Sequence, residues 1–213
     1  MLLIFSCYAH SADKSPSGNL TDPLILETGD TATIDYSIVT KSKGADSDIN
    51  QVGIQGASNN EITNNNNVTG ISAGGSGIVV DDNATIINTG KIKTRSSTSS
   101  GVKIGSGTIT NEGEITSGLF DETKGIFGTG GALTVNNTGT ISAEDGIYSE
   151  NSSITINNNI GGLISGIVGP ESSWKASKGI YVTNTSATTT IINAGTISGI
   201  YTGIYVDGAD TTI

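Results

Sequence analysis

Apolar and polar positions recur along this chain in one frame: Thr, apolar, any residue, Asn, any, Gly, any, Ile. Thr190-Ile191-Ile192-Asn193-Ala194-Gly195-Thr196-Ile197 fits it, and residues 85–92, 108–115 and 134–141 repeat it. A looser copy opens with Thr155-Ile156-Asn157-Asn158 and has two extra residues before Gly161-Gly162-Leu163-Ile164. Residues 62–68 keep the frame with Asn66 in the Gly slot, and Thr212-Ile213 opens another copy. The apolar anchors Ile62, Ile86, Ile109, Val135, Ile156, Ile191 and Ile213 step by 24, 23, 26, 21, 35 and 22 residues. A second motif, Gly followed by Ile or Val, runs in phase at Gly53, Gly77, Gly101, Gly125, Gly146, Gly179 and Gly203. Self-similarity at a fixed period outranks any local propensity.

Each period holds three short segments of alternating character: the Gly-Ile segment, the Thr-Ile-x-Asn segment, and the one opened by the Ile after Gly. Alternation puts Ile126 inward, Phe127 outward and Gly128 inward again. Three strands in about 22–24 residues is the arithmetic of a three-sided coil stacking about 4.8 Å per turn. The expected fold is an all-β parallel β-helix solenoid, three strands per coil, of about seven coils of 21–26 residues with one longer insertion. Asn and Gly between segments suit sharp corners, because both tolerate positive φ. An α-helical reading fails, since the Ile spacing has no three-to-four-residue period and Gly, Thr and Asn are poor helix formers.

The pattern divides the chain. Residues 1–11 are apolar and end in Ala9-His10-Ser11, which fits a shortened signal peptide cleaved after Ser11. An ordinary apolar first strand or cap is the alternative, and a lipoprotein reading through Ser6-Cys7 is weakened by the bulky Phe5. Residues 12–48 read as a lead-in and N-terminal cap, with Thr31-Ala32-Thr33-Ile34-Asp35-Tyr36-Ser37-Ile38 alternating as an irregular first rung. Some cap is required, because an open sheet edge recruits other chains. Residues 49–213 are the β-helix repeats and stop in mid-repeat. Insertions gather at the corner before each Gly-Ile segment, and the longest, residues 165–178, carries Trp174, Lys175 and Lys178. Insertions on one side of a solenoid often mark its working face.

Composition sharpens this picture. With 30 Gly and 5% aromatic residues in 213, a globular core would be starved, whereas narrow coils fill with stacked Ile and Val. The formal net charge of −10 argues against nucleic acid, which needs a basic groove or stripe. One cysteine, Cys7, excludes an internal disulfide, and no apolar run of about 20 residues spans a membrane as a helix.

Chemistry-bearing groups are few. Asn88, Asn111, Asn137, Asn158 and Asn193 share one slot and are expected to stack as a structural ladder, amide to amide, at a corner. The residue after each Gly-Ile forms an outward column of Gln55, Val79, Lys103, Phe127, Tyr148, Tyr181 and Tyr205. Stacking accounts for its aromatic half structurally. An exposed aromatic strip also suits sugar or protein contact. The binding hypothesis is a patch of Phe127, Tyr148, Tyr181, Tyr205, Trp174, Lys175 and Lys178. The only histidine, His10, lies in the leader-like segment, so no His-dependent triad or metal cluster is available. The acidic pairs Asp81-Asp82 and Glu144-Asp145 are the residue types that hydrolyse glycosides, but neither is bracketed by other catalytic groups. Gly74-Gly75-Ser76-Gly77 starts like a calcium-binding nonapeptide, yet Val79 stands where Asp is required. No metal and no cofactor is implied. Outward Thr arrays raise ice binding, but in the third segment Thr alternates with Lys91, Glu114 and Leu163.

Repeated Thr-Ile-x-Asn-x-Gly-x-Ile with Gly-Ile-Tyr between copies resembles the passenger domains of bacterial autotransporters, the pertactin-like β-helices. The resemblance covers about residues 49–213. It implies a right-handed parallel β-helix, export to the bacterial cell surface or medium, no cysteine pairs, and a C-terminal translocator barrel in the full-length protein. Two functions follow as expectations. The first is a non-enzymatic adhesin or display stalk touching a host-cell surface protein or glycan. The alternative is a carbohydrate-active β-helix, a polysaccharide lyase or hydrolase similar in architecture to pectate lyases and polygalacturonases.

Overall fold

The computed structural model describes residues 12–40, 52–70, 75–94, 97–118, 122–150, 153–168, 177–184, 187–208 and 210–213. The predicted leader, residues 1–11, lies outside them. Within them the chain is a parallel β-solenoid with no helix, its strands sorted by turn position into three sheets.

The Gly-Ile segments build the first sheet: Leu24–Ile25, Ile54–Gln55, Ile78–Val80, Ser100–Ile104, Lys124–Gly128, Asp145–Glu150, Lys178–Asn184 and Thr202–Gly208. The Asn-bearing segments build the second: Thr31–Ile34, Glu61–Asn64, Ala84–Asn88, Gly107–Asn111, Leu133–Asn137, Ile154–Asn158, Thr189–Asn193 and Thr211–Thr212. The third runs from Ile38–Val39 through Asn67–Gly70, Lys91–Thr94, Glu114–Thr116, Thr140–Ala143 and Leu163–Gly166 to Thr196–Gly199. Each strand pairs in parallel with the equivalent strand one turn away. The lead-in shares this plan: Leu24, Thr31 and Ile38 pair with Ile54, Glu61 and Val68. Single bridges from Asp13 to Thr31 and from Leu20 to Ile38 cover the lowest turn. Asp30 fastens that cover by accepting the backbone N–H groups of Ala12 and Glu27, which with Lys14 hold its carboxyl below the usual range.

Alternation sends one file of aliphatic side chains inward from each sheet. In the second sheet, Ala32, Ile62, Ile86, Ile109, Val135, Ile156 and Ile191 are in register and at most 3% exposed. Ile78, Val102, Ile126, Ile147 and Ile180 do the same for the first sheet, and Val68, Ile92, Ile115, Ile141 and Ile164 for the third. Each contributes about 1.5–3 kcal/mol by leaving water, so three converging files carry the stack without aromatic residues. Ile213, which continues the frame, is exposed.

The frame glycines have a different cause from the expected one. None of Gly90, Gly113, Gly139 or Gly195 has positive φ, nor do the frame asparagines; the positive-φ residues Asn59, Asn83, Thr98 and Glu122 sit at other corners. A Cβ on Gly90 would collide with the Asn66 carbonyl, and one on Gly113 with the Gly90 carbonyl. The corner backbones stack too closely for any side chain. Gly77 and Gly101 are fixed likewise, since a Cβ there would strike the Cγ2 of Ile92 or Ile115 and the glycine carbonyl one turn on.

Candidate interaction surface

The corner between the second and third sheets holds the asparagine ladder. Nδ2 of each Asn donates to Oδ1 of the next at 2.7–2.8 Å, from Asn88 through Asn111, Asn137 and Asn158 to Asn193. Asn64 starts the file, donating to Asn88 at 2.7 Å. It occupied the right slot in the sequence frame but was not counted with the others. From Asn64 to Asn158 each amide also reaches a corner carbonyl, as Asn111 does to Thr140 at 3.2 Å and Gly113 at 3.3 Å. The five from Asn64 to Asn158 are fully buried, so these side chains are framework and unavailable to a ligand.

On the outer face of the first sheet, register places Gln55, Val79, Lys103, Phe127, Tyr148, Tyr181 and Tyr205 in one column. The rings lie 5.3 Å apart for Phe127 and Tyr148, 4.9 Å for Tyr148 and Tyr181, and 5.4 Å for Tyr181 and Tyr205. The first pair is stacked at 22°, the second tilted at 34°, and the last meets edge-on at 77°. Ring faces between Phe127 and Tyr181 are therefore turned toward each other, and the strip offers mainly edges and hydroxyls. Tyr205 is the most open of the four, at 41% exposed.

Charges flank the rings on both sides. Three residues before them, Lys124, Asp145, Lys178 and Thr202 form a column in register; two residues after, Glu150, Thr183 and Asp207 form another. Lys178 places its ammonium 4.0 Å from the Tyr181 centroid and 3.9 Å from Asp145. Burial raises the Asp145 carboxyl above its usual range, against the pull of Lys178 and Lys124. The Tyr148 hydroxyl donates to Glu150 at 2.5 Å and lies 3.4 Å from the Thr183 hydroxyl. Desolvation, reinforced by Glu150, pushes the Tyr148 phenol up to about 12. A raised folded-state pKa adds stability that is full below the unfolded value near 10 and is lost as pH climbs through the folded one. Subtracting the alkaline absorbance titration of Tyr148→Phe from that of the parent should leave a phenolate transition near pH 12 rather than near 10.

Trp174 and Lys175, predicted members of the patch, lie outside the described residues. Lys178 is in place. Lys124 was missed: it stands three residues before Phe127, where strict alternation gives the opposite face, and only the reach of its ammonium, 5.6 Å from the Phe127 centroid and 5.4 Å from that of Tyr148, brings it to the strip. Of the two acidic pairs, Asp145 faces Lys178, the Glu144 carboxylate accepts the Glu122 N–H, and Asp82 accepts the Ser106 hydroxyl at 3.1 Å. Glu114, beside the shallow groove along the asparagine corner, holds Lys91 at 3.3 Å and Lys93 at 3.6 Å. Among the described residues, no three His, Cys, Asp or Glu side chains gather as metal ligands. The second sheet presents an outward threonine file, Thr85, Thr108, Thr134, Thr155, Thr190 and Thr212, distinct from the third-segment positions weighed in the sequence.

Fold and surface together define a parallel β-solenoid with a charged aromatic strip along one face. No family model, no curated protein and no solved structure matches the chain.

Proposed function

We propose that this chain is the non-enzymatic passenger of an autotransporter-like protein, acting as an adhesin or display stalk at the bacterial cell surface or in the medium. The observation that carries the reading is parallel pairing that continues turn after turn from Leu24 to Thr212, built by the repeat that resembles autotransporter passengers. Interior and corner groups are consumed by aliphatic files and the asparagine ladder. Contact with a host-cell protein or glycan falls to outward groups, chief among them the strip from Phe127 to Tyr205. In this proposal residues 1–11 direct export and a translocator barrel lies C-terminal in the full-length protein.

Protease added to intact cells of the natural host tests this. The passenger is expected to be digested while a cytoplasmic marker survives, and protein recovered from outside the cell should begin near Ala12. A chain that resists protease until the cells are lysed, or that retains Met1, contradicts the proposal.

A further inference from the structure

Six basic residues lie in the described parts of the chain: Lys14, Lys91, Lys93, Lys103, Lys124 and Lys178. Four have carboxylate partners within 4.0 Å: Lys14 with Asp30, Lys91 and Lys93 with Glu114, and Lys178 with Asp145. The two that have none, Lys103 and Lys124, converge on one ring. Each ammonium lies 5.6 Å from the Phe127 centroid, and Lys124 also lies 5.4 Å from that of Tyr148. Lys124 donates only to a main-chain oxygen, that of Glu122, at 2.9 Å. Asp145 pairs with Lys124 in strand register, but its ion-pair contact goes to Lys178. In a chain of net charge −10, these two lysines have no carboxylate within 4.0 Å among the described residues, and Lys124 feels Asp145 only at longer range. An anion at the ring they share is attracted by both ammoniums.

We propose that Lys103, Phe127 and Lys124 form a binding node for an anionic polysaccharide, and that the tyrosine strip carries the rest of the sugar chain. This deepens the adhesin reading and rests on it. The ammoniums take the carboxylate or sulfate, and the edge of the Phe127 ring supplies apolar contact for the ring C–H groups beside it. Further along, Glu150 and Asp207 accept hydrogen bonds but donate none. Sugar hydroxyls donate to them. A ligand with anions and hydroxyl donors on one extended chain satisfies both ends of the strip.

The test measures binding of the purified 213-residue chain to immobilised polygalacturonate, heparin and uncharged dextran. The comparisons are a Lys103→Gln/Lys124→Gln double variant, Phe127→Leu, and a Lys91→Gln/Lys93→Gln double variant that removes the same charge elsewhere. Thermal melting confirms that each variant is folded. The parent is expected to bind polygalacturonate, heparin or both, more weakly as salt rises, and dextran not at all. Preference between the two assigns carboxylate or sulfate as the anion. The Lys103/Lys124 variant should lose about tenfold or more in affinity, in line with losing charge-assisted hydrogen bonds. Phe127→Leu should weaken binding, and the Lys91/Lys93 variant should bind like the parent. Absent binding, equal binding to dextran, or equal losses in both lysine pairs overturns the node. The assay needs no export, so a failed node leaves surface exposure standing. Binding by a protein found only inside cells would instead remove the passenger reading.

Discussion

Replacing Ile109 with Asp is expected to open the centre of the stack. Ile109 is fully buried, between Ile86 and Val135 in register. Truncation to Ala alone removes about 2–5 kcal/mol of packing. Asp adds a buried charge without a partner, which costs more still. Because each turn of a solenoid touches only its neighbours, damage should be greatest in adjacent turns and fade toward Ala32. Hydrogen exchange resolved by residue, with thermal melting, measures both size and reach. Melting within a degree of the parent would place residue 109 outside the core and overturn the register.

Replacing Asn111 with Leu is expected to be nearly as damaging, although Leu is apolar and similar in size. The change strips Asn88 Nδ2 and Asn137 Oδ1 of their ladder partners and leaves the Thr140 and Gly113 carbonyls without the amide. Each buried polar group left unsatisfied costs about 1–3 kcal/mol, so a total of about 3 kcal/mol or more is expected. The same change at Asn193 should cost much less, because Asn193 is exposed and only accepts from Asn158. Equal destabilisation at both positions, measured by chemical unfolding, would show that the ladder is not what the corner depends on.

The period was legible because a solenoid writes its geometry directly into sequence. The Gly-Ile and Thr-Ile-x-Asn spacings located three sheets, the inward Ile files and the column from Gln55 to Tyr205. Less was visible where contacts join positions that the frame does not relate. The lowest turn, Leu24 to Val39, lacks the frame's Asn: Ile34 stands where Asn64 stands above it. Its strands were therefore hidden in an irregular lead-in. The reason for Gly90 and Gly113 was misread because crowding by a neighbouring turn leaves no mark distinguishable from positive φ. Lys124 escaped notice for a related reason. Its link to Lys103 spans 21 residues and becomes visible only when adjacent turns are laid side by side.

Turns, not sequence separation, set distance in the molecule. Thr33, Thr63, Ile87, Thr110, Asn136, Asn157 and Ile192 form one outward column. With Cys7 changed to Ser, one spin label at residue 33 and a second at residue 136, 157 or 192 gives three distances by pulsed electron resonance. They should rise by about 4.8 Å per turn, from about 19 to about 24 to about 29 Å. The last step should equal the one before it, although it crosses 35 residues rather than 21. Distances that grow with residue separation, or that fail to order by turn, would contradict the stacked coil.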